Sequence, residues 1–291
     1  MTNKITCGQV RQWFDARDSQ IGFLVLFLML GVSTRDWTLR WDAVAAAIAV
    51  CVGSQLCWTY FRARQLKAGN CNGWSWRTIF SSLRSATITS LSLCLLLRAN
   101  SVGTIALAAG LAISSKFLVR VGGKHVFNPA NFGIIAALLL TADAWVSPGQ
   151  WGTDAWLILL FAGAGGLVLR RVGRWDTSAT FLGTYALLVC LRNTWLGWEW
   201  DAIAHHLSSG SLLLFALFML TDPRTIPNAR AGRVLWAVAI ALASFVFQYG
   251  FYIQAAPFWA LFAFAPLTPL FDRRWPAPRF TWSQPSLATA P

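Results

Sequence analysis

The stretch VGGKHVFNPANFG, residues 121–133, decides how this chain folds, because it joins a polar segment to a strongly apolar one. It collects three glycines, a lysine, a histidine and two asparagines directly before the apolar run IIAALLL. Asn128 can cap a helix, and Pro129 suits the first helical position, where its missing N–H removes no hydrogen bond. The stretch therefore predicts a helix that begins at residue 129 and continues into apolar sequence.

Composition indicates that lipid is the solvent of this apolar sequence. Of the 291 residues, 56% are hydrophobic, 12% are charged and 17 are Trp, and the mean hydropathy is +0.52. Soluble domains carry about 25% charged residues. The chain is therefore predicted to be an integral membrane protein. Its N-terminal residues are polar and lack the apolar core of a signal peptide, so we expect the first apolar run to be an ordinary anchor.

Ten apolar segments reach or approach the roughly 20 residues that a membrane-spanning helix needs. They lie at about 20–34, 42–60, 79–97, 102–119, 129–146, 153–170, 178–196, 208–221, 232–250 and 254–271. Of the 24 Lys and Arg residues, 19 fall in the segments on one side of the membrane and 4 in those on the other. Because basic residues accumulate on the cytoplasmic side, both termini are predicted to be cytoplasmic.

The predicted fold is all-α and polytopic, with about ten transmembrane helices. It comprises a cytoplasmic N-terminal segment at 1–19, a single membrane domain at 20–272 and a cytoplasmic tail at 273–291. Ten spans divide into five plus five. Since five is odd, two such halves insert in opposite orientations, which predicts an inverted repeat.

Two other classes of site are not expected. A net charge of +13 would suggest nucleic acid in a soluble chain, but here the basic residues lie in short clusters between apolar runs. No nucleic-acid partner is therefore predicted. The six cysteines form no CxxC pair, and the adjacent His205 and His206 diverge on a helix, so no metal site is predicted.

The opening stretch is the first candidate site. Lys124 and His125 stand beside a predicted helix N-terminus, which makes a site of positive potential suited to a phosphate or to the anionic edge of a ring. A capped helix with topology-setting charge is the alternative, and it explains Lys124, Asn128 and Pro129. It does not explain Asn131, which lies about one turn into the apolar run and needs a polar partner.

The second candidate site is MLTDPRTIPNARAGR, residues 219–233, on the same predicted side. Asp222 ends an apolar run, where a carboxylate is costly unless it is paired. Arg224, Arg230 and Arg233 are the candidate partners. The alternative is a turn that carries topology-setting arginines.

These two stretches resemble a known family. SKFLVRVGGKHVFNPANFG, residues 115–133, and LFMLTDPRTIPNARAGRVLWA, residues 217–237, are similar to the family of membrane proteins that includes RnfD of the Rnf electron-transport complex and NqrB of the sodium-translocating NADH:quinone reductase. The resemblance extends over about residues 80–272. It implies a ten-helix inverted repeat, related in fold to urea transporters, in the bacterial inner membrane. It also implies a flavin and a role in electron transfer coupled to Na⁺ or H⁺ translocation.

The chain departs from the family at the covalent flavin. Full members attach FMN to a threonine in a Ser-Gly-Ala-Thr motif, which follows the helix opened by Phe-Asn-Pro-Ala. Here that interval reads TADAWVSPGQWG, residues 141–152, and lacks the motif. The nearest match is Thr177-Ser178-Ala179-Thr180, one helix later and on the opposite predicted side. Covalent FMN at Thr180 is therefore not expected.

The resulting hypothesis is a membrane subunit that passes electrons through a non-covalently bound flavin, either FMN or riboflavin. Its predicted flavin-binding residues are Gly123, Lys124, His125, Asn128, Pro129, Asn131, Thr221, Asp222, Arg224 and Arg230. The expected partners are membrane lipid and other redox subunits, either a flavoprotein or an iron–sulfur protein. The chain has no module for NADH, so it is not expected to be a complete enzyme. Two alternatives stay open, a small-solute or ion transporter with the same fold and a structural anchor for a redox partner.

Overall fold

A computed structural model describes residues 16–34, 40–67, 76–146 and 155–282. Most of the predicted N-terminal segment, the last nine residues of the predicted tail and residues 147–154 lie outside the described residues. So do Cys7 and Cys71.

Helices dominate the described residues. The first half contains α1 Ala16–Thr34, α2 Trp41–Lys67, α3 Trp76–Leu96, α4 Val102–Leu118 and α5 Pro129–Leu140. The second half contains α6 Ala155–Val172, α7 Trp175–Trp195, α8 Trp200–Leu207, α9 Gly210–Leu214, α10 Arg230–Tyr249, α11 Ala256–Phe264 and α12 Thr268–Arg274. A π-helical turn, Phe215–Met219, continues α9, and a 3₁₀ turn, Ala265–Leu267, joins α11 to α12.

Short strands occur in two places. β1 Leu97–Ala99 pairs with β4 Ala144–Val146, and β2 Arg120–Val121 pairs with β3 Lys124–His125, both antiparallel. With so little sheet, the prediction of an all-α polytopic membrane protein is confirmed. By length and composition, three described helices could cross a membrane: Trp41–Gln65, Ile79–Leu96 and Arg230–Tyr249. Three shorter helices are also apolar, and they are Val102–Leu118, Pro129–Leu140 and Gly210–Met219.

Every predicted span coincides with a helix, but two spans differ from their predicted extent and one helix was not predicted. The fifth helix ends at Leu140 rather than near 146, because the chain turns extended after Thr141 and forms β4. The tenth segment is broken between α11 and α12, where Pro266 lacks the N–H that a continuous helix needs. The helix α8 lies outside the ten predicted spans.

Small residues allow the helices of the first half to pack closely. A Cβ atom on Gly133 of α5 would stand 2.6 Å from the carbonyl oxygen of Ala108 and 2.9 Å from the Cβ of Ala112, both on α4. Ala108 and Ala112 are themselves fully buried. Close contact between small residues is the usual way in which membrane helices associate. Gly133 therefore fixes how near α5 lies to α4.

The two halves repeat the same order of contacts. In the first half α1 packs against α3, and α4 packs against both α2 and α5. In the second half α6 packs against α9, and α10 packs against both α7 and α11. The halves meet where α1 contacts α6 and where α5 contacts α11. This is the order that a five-plus-five repeat predicts.

The two ends of the bundle are defined by Lys124 and Asp143. Lys124, just before α5, forms an ion pair with Asp272, which lies in the last helix of the second half. From there the 12 residues of α5 rise by about 18 Å and lead to Asp143. The last helices of the two halves therefore finish at opposite ends, named below the Lys124 end and the Asp143 end.

Candidate functional site

A tight hairpin places the first polar cluster at the Lys124 end. β2 and β3 are joined by Gly122 and Gly123, whose φ angles are +58° and +82°. Two consecutive residues with positive φ make the turn that best matches the twist of paired strands, and glycine adopts it without strain. The glycine pair therefore sets the direction of the hairpin and orients Lys124 and His125 ahead of α5.

The start of α5 links the first cluster to the second. The Asn128 side chain accepts a hydrogen bond from the N–H of Asn131 at 3.1 Å, so the predicted helix cap is confirmed. Its amide nitrogen donates to the carbonyl oxygen of Met219, also at 3.1 Å. Met219 ends the π-helical turn, whose last carbonyls lack partners within the helix. One side chain thus ties the start of α5 to the segment that carries Asp222.

The two clusters share one cavity at the Lys124 end. It encloses about 790 Å³ not occupied by protein atoms, including the space at its open mouth. Six of the ten predicted site residues line it: His125, Asn128, Pro129, Thr221, Asp222 and Arg224. Residues almost a hundred positions apart in sequence are therefore brought to a single site, as the paired motifs predicted.

Gly123 and Lys124 do not line the cavity. Gly123 belongs to the hairpin turn, and its carbonyl oxygen accepts from the Arg120 guanidinium at 3.0 Å. The Lys124 ammonium donates to the carboxylate of Asp272 at 2.8 Å and to the carbonyl oxygen of Ile226. Burial lowers the pKa of Lys124, while Asp272 opposes that shift. Lys124 therefore joins the hairpin to α12 through its ion pair with Asp272.

Asn131 also lies outside the cavity, and its partner is backbone rather than ligand. The side chain is buried, and its nitrogen donates to the carbonyl oxygen of Phe258 in α11 at 3.1 Å. Its Oδ1 has no hydrogen-bond partner among the described residues. Asn131 therefore joins the start of α5 to the start of α11, where the two halves meet.

Of the three candidate partners of Asp222, Arg224 contacts it, whereas Arg230 and Arg233 contact another carboxylate. Arg233 forms a buried ion pair with Asp176 of α7, at 2.6 Å. Arg230 lies 3.9 Å from the same carboxylate, is 71% exposed and stacks over Trp175. Asp222 instead accepts from the backbone N–H of Arg224 at 3.1 Å. The arginines of α10 reach α7 because they lie in the first turn of α10, which begins at Arg230 and packs along α7.

Burial shifts two ionisable groups of the cavity. Desolvation raises the pKa of Asp222, opposed by the N–H and the charge of Arg224. Desolvation, with Arg224 as the next cause, lowers the pKa of His125 to about 3. The His125 ring is hydrogen-bonded to the backbone of Lys116, and its Nδ1 has no partner among the described residues. His125 is therefore a neutral imidazole with a free buried nitrogen.

Lys116 is a cavity residue that the sequence interpretation missed. It was counted among topology-setting charges, but α4 extends to Leu118 and leaves Lys116 only 5% exposed. Its ammonium lines the cavity and donates to Oε1 of Gln55 on α2 at 3.1 Å. The sequence feature that could have indicated a cavity residue is a lysine within an apolar helix, directly after Ser114 and Ser115.

A row of hydroxyl groups on α3 was missed as well. Ser85, Thr89 and Ser92 are spaced by four and three residues, so they share one helix face, and that face lines the cavity. The spacing of these hydroxyl residues is visible in the sequence. Ser and Thr are common in membrane helices, so the spacing was not interpreted as part of a site.

The C-terminal segment covers the mouth of the cavity. Trp282 lines it and lies under the Arg17 guanidinium, 4.7 Å from the ring centroid. Phe280 packs edge-on against Trp282 and sits 5.6 Å from the Arg174 guanidinium. The Arg279 guanidinium approaches the glycine turn of the hairpin. Residues 279–282 therefore form a strap across the Lys124 end.

Thr180 lies away from this cavity. It is half-buried in the second turn of α7, within a regular helix rather than a loop. Two residues earlier, the Ser178 hydroxyl donates to the carbonyl oxygen of Ala216 at 2.6 Å. In the described residues no three His, Cys, Asp or Glu side chains are placed to hold a metal ion.

Together these features define a class of protein: a polytopic helical membrane protein with a polar, buried cavity built from both halves at one end. The chain belongs to the NQR2, RnfD, RnfE family, whose sequence model matches residues 20–280. The family resemblance of the two motifs is thereby confirmed.

Three curated relatives of this chain share one name. The ion-translocating oxidoreductase complex D subunit of Halorhodospira halophila is 35% identical over 134 residues, which cover 46% of this chain and 37% of that protein. The corresponding protein of Stutzerimonas stutzeri is 36% identical over 141 residues, covering 46% and 38%. That of Escherichia coli O1:K1 / APEC is 35% identical over 156 residues, covering 52% and 40%. The chain thus spans about two fifths of the length of the curated relatives it matches.

Proposed function

We propose that this chain is a membrane subunit of an ion-translocating electron-transport complex and that its cavity holds a flavin without a covalent bond. The observation that carries the proposal is the meeting of both motif stretches in one cavity, joined by the hydrogen bond from Asn128 to Met219. The relatives are named as subunits of an ion-translocating oxidoreductase complex, which supports partner subunits with redox groups. A flavoprotein or an iron–sulfur protein would supply or accept the electrons.

The chemistry of the lining residues fits a flavin. Its ring system has an apolar body and a polar edge of carbonyl groups and ring nitrogens, and the cavity has both apolar walls and donors. Leu217 and Phe218 supply an apolar wall, while Lys116 offers a donor. The Thr89 hydroxyl donates to the carbonyl oxygen of Ser85 and offers its oxygen as an acceptor. His125 presents a buried nitrogen that lacks a partner among the described residues.

Each group has a definite task in this proposal. A bound flavin supplies the redox chemistry, which no side chain of the cavity can supply alone. Asn128 fixes the α5 end of the cavity, and Arg224 fixes the Asp222 carboxylate through its N–H. The strap places Trp282 in the lining of the cavity. The membrane position follows the predicted topology, with the Lys124 end cytoplasmic in a bacterial inner membrane and both termini on that side.

Filling the cavity tests the proposal. Thr89→Phe places a ring in the cavity, whereas Thr87→Phe places the same ring on α3 outside the cavity lining. We expect the purified wild type and Thr87→Phe to release flavin on denaturation and Thr89→Phe to release little. Equal flavin in all three proteins would contradict the assigned site. Flavin in none of them would contradict the electron-transfer role.

A second function has one observation in its favour. The hydroxyl row of Ser85, Thr89 and Ser92 extends the cavity along α3 toward the interior of the bundle. Such a row suits a small polar solute or an ion, as in a transporter with the same fold and without redox chemistry. Uptake by proteoliposomes that contain this chain alone, without flavin, would favour transport over electron transfer.

A further inference from the structure

The cavity carries an excess of positive charge. Among the described residues that line it, Arg17, Lys116 and Arg224 are cations, and Asp222 is the one carboxylate. His125 is neutral because its pKa is held at about 3. Arg17 donates to Ser81 and stacks on Trp282, so it is set aside here. Lys116 and Arg224 alone exceed Asp222 by one positive charge when Asp222 is ionised.

Lys116 and Arg17 are the two deeply buried cations of the cavity, and Lys116 belongs to α4. Its residue is 5% exposed, and its ammonium donates to the neutral amide oxygen of Gln55. Within the described part of the chain it forms no ion pair with a carboxylate. The Asp222 carboxylate acts on the Lys116 charge electrostatically without a direct contact. A buried charge without a directly paired counter-ion costs free energy, so such groups in membrane proteins generally serve a ligand or a pathway.

Lys124 shows the difference between a structural and an available lysine. The two lysines are eight residues apart, yet the Lys124 ammonium is neutralised by Asp272 at 2.8 Å. Lys124 does not line the cavity, whereas Lys116 does. The fold thus compensates one lysine internally and leaves the other facing the space that a ligand would occupy.

We infer that Lys116 provides the positive charge that favours the reduced form of a flavin bound in the cavity. The inference rests on the proposed function. A neutral oxidised flavin that takes up two electrons from a reduced partner protein and one proton from water gains one negative charge. Lys116 stabilises that charge more than it stabilises the neutral ring, and it stabilises it without acting as a proton donor. Lys116 therefore acts on the flavin through its positive charge and not through proton transfer.

Three variants separate this role from a structural one. Lys116→Met keeps the length of the side chain and removes its charge, and Lys116→Arg keeps the charge. Gln55→Glu leaves Lys116 in place and puts a carboxylate where its hydrogen-bond acceptor now lies. Arg230→Met removes an exposed charge outside the cavity and is the matched control. The measurement is a redox titration of the flavin spectrum in the purified full chain.

We expect Lys116→Met and Gln55→Glu each to weaken the preference for reduced over oxidised flavin by about tenfold, which lowers a two-electron midpoint by about 30 mV. Lys116→Arg and Arg230→Met should keep the wild-type midpoint. If Lys116→Met fails to fold or loses its flavin, Gln55→Glu decides the inference alone. Flavin bound at an unchanged midpoint in Gln55→Glu overturns the inference and leaves the proposed function standing. Absence of flavin from the wild type overturns both.

Discussion

Asp143 and Asp272 make the same contact at opposite ends of the molecule. Asp143 accepts a hydrogen bond from the backbone N–H of Ser101, and Asp272 accepts one from the N–H of Asn228, each at 2.8 Å. Asp143 follows α5, the last helix of the first half. Asp272 lies in α12, the last helix of the second half. Each N–H shortly precedes the helix that packs against two others of its half, α4 or α10. A local contact is thus repeated in both halves with reversed direction, in agreement with the order of helix packing.

The Lys124–Asp272 pair should be coupled strongly, because both side chains are mostly buried, with exposures of 15% and 20%. Asp272→Asn leaves the ammonium unpaired, so we expect a loss of about 2–4 kcal/mol of stability. Lys124→Met in addition to Asp272→Asn should restore about half of that loss, as in a double-mutant cycle. Thermal unfolding in detergent measures all four proteins. Additive losses would show that the pair is not coupled.

Ionised Asp222 should lower the free energy of unfolding at neutral pH, because burial disfavours its charge. Its pKa is raised above the ordinary value of 3.8, so the folded protein binds more protons than the unfolded one in the window above that value. The unfolding free energy contributed by Asp222 therefore falls as pH rises through this window. We expect Asp222→Asn to be at least as stable as the wild type at neutral pH and to lose this pH dependence.

Unfolding of both proteins between about pH 4 and pH 8 checks this prediction. Asn can still accept the hydrogen bond from the N–H of Arg224, so the comparison isolates the charge. A variant clearly less stable than the wild type at neutral pH would show that the carboxylate stabilises the fold instead.

The strap should control access to the cavity. In a background without native cysteines, Thr89→Cys provides a thiol inside the cavity, and a polar maleimide reports how fast it is reached. We expect Trp282→Ala to raise the labelling rate by about tenfold, since local opening then needs no loss of the contact with Arg17. Trp275→Ala is the control, because Trp275 stacks on Phe271 and does not line the cavity. Equal rates in both variants would mean that Trp282 does not close the mouth.

Much of the fold could be predicted from the sequence because lipid demands long apolar helices and basic residues mark the loops. The Asn-Pro start of α5 was predictable for a local reason, since capping depends on residues one turn apart. The partners of charged residues were not, because Arg233 reaches Asp176 across 57 positions through a helix contact that no local pattern encodes. Lys116 was misjudged for the same reason: whether a lysine near a helix end faces water or a cavity depends on the neighbouring helices.

The most direct test of the central claim is the fate of flavin when the purified protein is precipitated with acid. The account predicts a flavin spectrum in the purified full chain and release of that flavin into the supernatant. Flavin that stays in the pellet would contradict non-covalent binding and point to Thr180. A protein that carries no flavin across several preparations would contradict the electron-transfer role itself.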